Sequence, residues 1–310
     1  MIGSPRMLVV AAMAVAFIQL LIAAVAADGS GNYPWRISMR HTCWTNVSCN
    51  RAMVVSHGGD WDPIFNPYDS LAAMKKAYVD GAEAVKGDFR VSSDNVGVIM
   101  HSSPIEFYES LDCWGKRPED MTVAECTACK MAVSNWTFSS LPELLAWSNG
   151  NVITMLCIKR KQDIPRAISS IVQLNATDRV FLEIRVPDLL TDVLGSKPPG
   201  WDKVYYVAEG GSAADVDSVL SDSFSGLLPM AFMFEFDPGF PNWGINLTQT
   251  VERLHLRGMK TFTATSRFLP SVEEQVGLFN EGIDIVYTYD TVNAVQAREL
   301  VNTARGISPP

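Results

Sequence analysis

From about residue 51 onward, short β-branched apolar runs alternate with stretches whose apolar residues recur every three or four positions. The runs predict strands over 52–56, 84–91, 96–101, 151–159, 179–186, 204–208, 231–236, 260–265 and 283–287. The intervening stretches predict helices over 70–80, 141–147, 164–174, 213–220, 247–256, 271–280 and 293–302. In the first of these helices Leu71, Met74, Ala77 and Tyr78 share one face. Only Ser92 to Asn95 separate 84–91 from 96–101, too short a link for a parallel crossover, so these two strands are expected to pair as a hairpin.

Strand and helix otherwise alternate seven or eight times over roughly 250 residues, which fits a (β/α)8 barrel, the TIM-barrel class of α/β fold. The competing fold is an open doubly wound sheet, whose G-x-G-x-x-G turn does not occur here. Residues 102–137 exceed an ordinary βα connection and carry Cys113, Cys126, Cys129, Trp114 and Trp136. They are expected to form a Cys-containing loop insertion over the C-terminal ends of the strands, where barrel function resides.

The first residues read as a separate unit. Arg6 precedes an apolar run from Met7 to Ala27, and Ala24-Val25-Ala26 supplies a small-residue cleavage pattern, so 1–27 reads as a signal peptide. The run nearly reaches the roughly 20 residues of a membrane span, so a type II membrane anchor is the alternative. Residues 28–50 then form a Cys-bearing extension, 51–302 the barrel and 303–310 a tail. Sequons at Asn46, Asn135, Asn175 and Asn246 and the clustered cysteines agree with a secreted or luminal glycoprotein. Cys43 and Cys49 are expected to close a small loop around Asn46. Cys113 can pair with either Cys126 or Cys129. The net charge of −9, with no basic run, speaks against a nucleic-acid partner.

Candidate chemistry concentrates between Val54 and His101. His57 and His101 each end a short apolar run, and Lys86 and Asp88 lie two apart on one predicted strand, hence on one face. His57-Gly58-Gly59, Asp69-Ser70-Leu71-Ala72-Ala73-Met74 and Gly81-Ala82-Glu83-Ala84-Val85-Lys86-Gly87-Asp88-Phe89 lead on to His101-Ser102. Together these resemble the glycerophosphodiester phosphodiesterase family, whose members read H-R-G, N-T-L-x-A-F and G-A-D-x-x-E-x-D before a second histidine. Thr122 to Glu125, Leu141 to Leu145, Met155 to Lys159, Arg257 to Thr265 and Glu281 to Asp290 are similar to later elements of the same pattern. The resemblance spans about residues 51 to 300 and is specific in the first 50 of those.

It implies a barrel enzyme in which three carboxylates hold a divalent cation, two histidines act as acid and base, and an Arg and a Lys grip phosphoryl oxygens. His57 and His101 match the histidines, Asp88 the second metal carboxylate and Lys159 the phosphate-binding lysine. Lys86 stands in place of the first metal carboxylate, Cys157 of the third and Gly58 of the arginine. A lone carboxylate is a poor site for Mg²⁺ or Ca²⁺. The expectation is that Lys86 pairs with Asp88 as a built-in cation, closing the site to metal while still attracting phosphate with Lys159. Glu183 and Glu235, acids within apolar strands, are the residues that would rebuild a Mg or Ca site if they face the barrel axis. The blander readings are strand-end histidines satisfied by backbone, a Lys86 that snorkels to the mouth, and Cys157 as a buried free thiol. Three functions follow as alternatives: a hydrolase of glycerophosphodiesters or lysolipid-like diesters, a pseudoenzyme that binds such ligands, or an interaction scaffold.

Overall fold

Eight parallel strands close into a barrel in the order in which the chain lays them down. The structure, a computed structural model, describes residues 42–62, 64–224, 231–234, 246–264 and 269–307. The signal segment 1–27 and Glu235 therefore lie outside the described residues. The strands are β1 (Met53–His57), β2 (Ala84–Val91), β3 (Gly97–Ile99), β4 (Ser139–Ser140), β5 (Ile153–Ile158), β6 (Val180–Arg185), β7 (Tyr205–Gly210), β8 (Ala231–Phe234), β9 (Lys260–Ala264) and β10 (Ile285–Thr288). Around the barrel run β1, β2, β5, β6, β7, β8, β9 and β10, and β10 pairs with β1 to close it. The pair β2–β3 is the expected antiparallel hairpin, with Phe89 opposite Ile99, and β4 extends it.

The strand period of two sorts side chains between two cores. Val54, Val85, Leu156, Leu182 and Val286 pack outward against the helices, while Met53, Val55, Ala84, Met155, Phe181, Val207, Met233, Phe262 and Ile285 fill the barrel interior. The expected extension 28–50 is not separate in its last residues. The Cys43–Cys49 disulfide forms, and Trp44, fully buried, joins the interior core with its ring 5.8 Å from that of Phe181. Beside it, Lys260 donates to Cys49 O and pairs with Asp284 at 2.8 Å, so this plug is anchored by a buried ion as well as by packing.

Helices fall where the apolar spacing places them, at Leu71–Val79, Leu141–Ser148, Ile164–Gln173, Ala213–Leu220, Leu247–Leu256, Val272–Asn280 and Thr291–Ala304. Their starts are written in the sequence: Ser140 with Glu143 and Ser271 with Glu274 form reciprocal capping boxes, each cap contributing about 1 kcal/mol. The helical stretch after β6 is not among those the apolar spacing predicts. After β6 the chain turns at once through Val186–Asp188 into the wider π-helical stretch Leu189–Gly195, where Pro187 and Gly195 mask the ordinary helical signal. Among the described residues no helix is long and apolar enough to cross a membrane.

The insertion after β3 contains the helix Val123–Ala128, capped by Thr122 and Glu125. Its disulfide is Cys113–Cys129, and Cys126 remains a buried free thiol. Trp136 Nε1 donates to Phe65 O at 2.8 Å, and Arg160 pairs with Glu119 at 3.0 Å. Those partners lie in the loops that follow β1 and β5, so the insertion sits at the strand C-terminal ends, as expected.

Candidate active site

Continuing each interior row toward the C-terminal ends replaces apolar side chains by polar ones. On β1 the row is Met53, Val55, His57; on β2 it is Ala84, Lys86, Asp88; beyond Met155 come Cys157 and Lys159; beyond Phe181 comes Glu183. Register keeps them level: His57 opposes Lys86, and Asp88 opposes Cys157, which opposes Glu183. The barrel mouth thus brings together His57, Lys86, Asp88, Cys157, Lys159 and Glu183.

Lys86 and Asp88 form a direct ion pair although their side chains are only 1% and 0% exposed. Lys159 reaches the same Asp88 Oδ1 at 2.8 Å, and Tyr68 OH donates to Asp88 Oδ2 at 2.9 Å. Lys86 Nζ also donates to Tyr68 OH at 3.0 Å and lies 3.1 Å from His57 Nε2. Because an ammonium can only donate, His57 Nε2 is the acceptor in that contact. Lys86 therefore does not snorkel to solvent; its three N–H groups are spent on His57, Tyr68 and Asp88.

These contacts shift the pKa values of the cluster. Burial alone would raise the Asp88 carboxyl, but Lys86 and then Lys159 hold it well below the usual carboxylate range. Burial works against the Lys86 ammonium, and Asp88 outweighs it, raising the lysine's pKa. Burial and then Lys86 push His57 well below the ordinary histidine value, keeping it neutral. Burial and then Asp88 raise the neighbouring Asp69 carboxyl well above its ordinary value, so two ammonium groups face one ionised carboxylate and leave a positive charge around Asp88.

Gly58, where the family has arginine, has a positive φ of 70°, and a Cβ placed on it would lie 2.1 Å from Tyr68 Cε2. No side chain fits there while Tyr68 occupies its place. The Tyr68 phenol beside Gly58 joins Lys86 to Asp88. Nothing in the periodicity singles out Tyr68, because it lies in the irregular β1 to helix connection. Sequence reasoning also missed Tyr287 and Tyr289, whose rings stack on His57 at 4.2 and 4.1 Å. Alternation from Ile285 along β10 would have placed both on the interior face. Asp69, buried with a φ of 63°, accepts from Asp88 N at 3.2 Å.

His101 stands apart from His57. It follows β3 on the hairpin arm, with its ring 5.9 Å from Tyr68 edge-on and Nδ1 3.0 Å from Ser102 Oγ. Arg90 holds its backbone carbonyl from two donors, at 3.1 and 2.7 Å. Burial foremost lowers its pKa to about 4, although 42% of the side chain is exposed. Cys157 is buried and free, and burial with Glu183 nearby pushes its thiol well up, so it is no thiolate nucleophile.

The donor set does not fit a divalent cation. An ammonium projects between Asp88 and His57, a thiol stands at Cys157, and among the described residues no three His, Cys, Asp or Glu side chains cluster as metal ligands. Glu183 does face the interior, as rebuilding a site would require, but one strand beyond Cys157 and without assembling such a trio. Glu235 lies outside the described residues.

The sequence profile of the glycerophosphoryl diester phosphodiesterase family matches residues 65–170. A comparison with curated protein sequences finds no match. Among solved structures, a glycerophosphoryl diester phosphodiesterase from Parabacteroides distasonis is similar at 16% identity and TM-score 0.63, covering 81% of this chain and 87% of its own. An Oleispira antarctica phosphodiesterase, in complex with the product sn-glycerol-3-phosphate, aligns at 15% identity and TM-score 0.62 over 82% of this chain and 99% of its own. The Thermotoga maritima glycerophosphodiester phosphodiesterase gives 18% identity and TM-score 0.59 over 79% and 97%. At such identities the structural likeness speaks for the fold. The resemblance read from the motifs is thereby shown: the chain carries a match to the glycerophosphoryl diester phosphodiesterase family over residues 65–170, on a barrel with the fold of that family's solved structures.

Proposed function

We propose that this protein binds small phosphodiesters of the glycerophosphodiester class through a site whose cation is Lys86 rather than a metal ion. The observation that carries it is the Lys86 ammonium, buried between His57, Tyr68 and Asp88 and joined there by Lys159. The uncompensated positive charge matches the single negative charge of a phosphodiester. Lys159, 22% exposed, is the lysine that reaches an arriving phosphoryl oxygen. That the Oleispira relative holds sn-glycerol-3-phosphate supports the ligand class.

Hydrolysis by a histidine pair is less well served. His57 is neutral and its Nε2 already accepts from Lys86, so that nitrogen neither donates to a leaving alkoxide nor takes a proton from water. His101 favours a second reading, metal-independent hydrolysis, because it is neutral near pH 7 and half-exposed beside Tyr68, as a general base must be.

Calorimetric titration with glycerophosphocholine in chelator tests the main reading. Binding is expected to be unchanged by added Ca²⁺ or Mg²⁺ and weakened at least tenfold by Lys159→Met, the loss of one charge-assisted contact. Binding that requires the cation, or no binding, would overturn it. Chelator-resistant turnover abolished by His101→Ala would establish the second reading in its place.

The export expectation stands as a proposal too. Two disulfides form, and all four sequon asparagines are exposed, which suits an oxidising, glycosylating compartment. Protein secreted from eukaryotic cells is expected to drop in mass on treatment with peptide-N-glycosidase. Retention in the cytosol at unchanged mass would refute export.

A further inference from the structure

Five aromatic side chains are exposed among the described residues, and all five stand at one end of the barrel. Phe65 lies in the loop that follows β1, and Phe107, Tyr108, Trp114 and Trp136 lie in the insertion after β3, each between 43% and 72% exposed. At roughly 150–250 Å² for a whole aromatic side chain, those fractions leave on the order of 600 Å² of ring surface in water. That is the upper end of what a monomer ordinarily keeps in one patch, and such patches commonly meet a partner.

Contacts draw the five together. Trp136 Nε1 donates to Phe65 O at 2.8 Å, and the Phe107 and Tyr108 rings meet edge-on at 5.9 Å. Ala132 N donates to Glu109 O at 2.8 Å, which lays the turn before Trp136 alongside Tyr108, and the Cys113–Cys129 disulfide ties the Trp114 loop to the same turn. Packing does not require these rings, because the insertion has its own core of Met100, Ile105, Met121, Met131 and Phe138. Neighbouring carboxylates point the other way: Glu109 accepts from Ser102 N and Glu106 N, and Asp112 from Ser110 Oγ and Lys130 N. Rings turned outward and charge turned inward reverse the ordinary order of a soluble loop.

We propose that this aromatic rim seats the protein on a phosphatidylcholine surface, with the barrel mouth turned toward the lipid. Charge selects the lipid. Residues 102–137 carry six carboxyls and three basic groups, a net charge of −3 within a chain of net charge −9, so an anionic bilayer repels this face. The outermost group of a phosphatidylcholine layer is a trimethylammonium, which carboxylates attract and aromatic faces receive. Trp and Tyr, apolar in the body and polar at the tip, settle at the depth of the headgroups, and Phe and Leu side chains reach past it. The rim uses none of the charged cluster inside the mouth, so the inference stands whether or not a soluble phosphodiester binds there.

Co-sedimentation with vesicles tests this. The protein is expected to bind phosphatidylcholine vesicles, with its tryptophan emission shifted to the blue, and to bind phosphatidylglycerol vesicles about tenfold more weakly at low salt. Phe107→Ser combined with Trp114→Ser is expected to weaken binding about tenfold or more. Phe65→Ser, on the other loop, should act in the same direction and keeps the test sharp should the double variant fail to fold. Leu256→Ser is expected to change nothing, because Leu256, 89% exposed, ends the helix that leads into β9 and so lies at the opposite end of the barrel. Soluble glycerophosphocholine is expected not to displace the protein. Asn135, a sequon asparagine, is exposed within the rim, and the secreted protein and Asn135→Gln are expected to bind alike. No binding to phosphatidylcholine, tighter binding to phosphatidylglycerol, binding seen only with Asn135→Gln, or full binding by the rim variants overturns the proposal. Displacement by glycerophosphocholine overturns it too, by assigning adhesion to the Lys86–Asp88–Lys159 cluster. Self-association that the rim variants abolish, without vesicle binding, would give the face to a second copy of the chain instead.

Discussion

Replacing Asp88 by asparagine is expected to cost the fold about 3–5 kcal/mol, the penalty for leaving buried charge without its partner. Asp88 is the anion shared by Lys86 and Lys159, and its other oxygen accepts from Tyr68. Without that charge, a lysine 1% exposed is left with neutral hydrogen-bond partners, His57, Tyr68 and the new amide. Lys86→Met should cost less than half as much, because Lys159 remains on Asp88 and the thioether fills the stem's place. The asymmetry identifies one anion serving two cations. Urea unfolding of the two variants measures it, and equal losses, or a loss under about 1 kcal/mol for Asp88→Asn, would mean that solvent reaches the cluster.

The same residue sets the acid limb of stability. Asp88 is held well below its unfolded value of about 3.9. Its contribution is therefore fully present above that pH and lost as the pH falls from there through the folded value. Asp88→Asn should flatten this limb. Glu183 works in the opposite sense. With its pKa raised to about 8, the native state keeps a proton that the unfolded chain has already released. Stability falls as the pH rises from about 4.3 to 8 for this group.

The barrel and half of its site are legible in the sequence because both depend on period. Apolar alternation names the strands, and the rule that i and i+2 share a face predicts that Lys86 meets Asp88, as it does. What is illegible comes from contacts made only when distant loops close. Tyr68 sits in a connection with no period of its own, yet it fills the space above Gly58 and bonds two residues of β2. Read from motifs, Gly58 is simply the position where the resemblance implies an arginine; the structure sets the Tyr68 ring where a Cβ would lie. The partner of Cys113 was undecidable for the same reason. Cys126 and Cys129 are nearly equidistant along the chain, and only the helix Val123–Ala128, which buries Cys126 on its inner face, leaves Cys129 to make the bridge. His57 shows the limit of motif transfer most clearly. Its position follows the family, but its chemistry is set by the ammonium at Nε2 and the two tyrosines on its faces.

If Lys86 occupies the place of a metal, restoring carboxylates should restore metal affinity. The double variant Lys86→Glu with Cys157→Glu is expected to bind Ca²⁺ with a Kd on the order of 0.1–1 mM or tighter, the range of modest all-oxygen sites. The wild-type protein should give no heat under the same conditions. Position 86 lies two residues before Asp88 on the same interior row, and position 157 is the register neighbour of Asp88, so three carboxylates would stand on two adjacent levels of the barrel mouth. Without metal they repel one another in a buried setting, and the variant should be markedly destabilised. Calcium then stabilises it by mass action, so its melting temperature should climb with added cation while the wild type stays flat. Lys86→Glu alone, with two carboxylates, should respond weakly. Two outcomes would sink the idea that the lysine replaces the ion. One is a wild-type protein that binds Ca²⁺ as well as the variant does. The other is a folded double variant that ignores it, which would mean that Tyr68, packed against Gly58, and not the charge at position 86, keeps metals out.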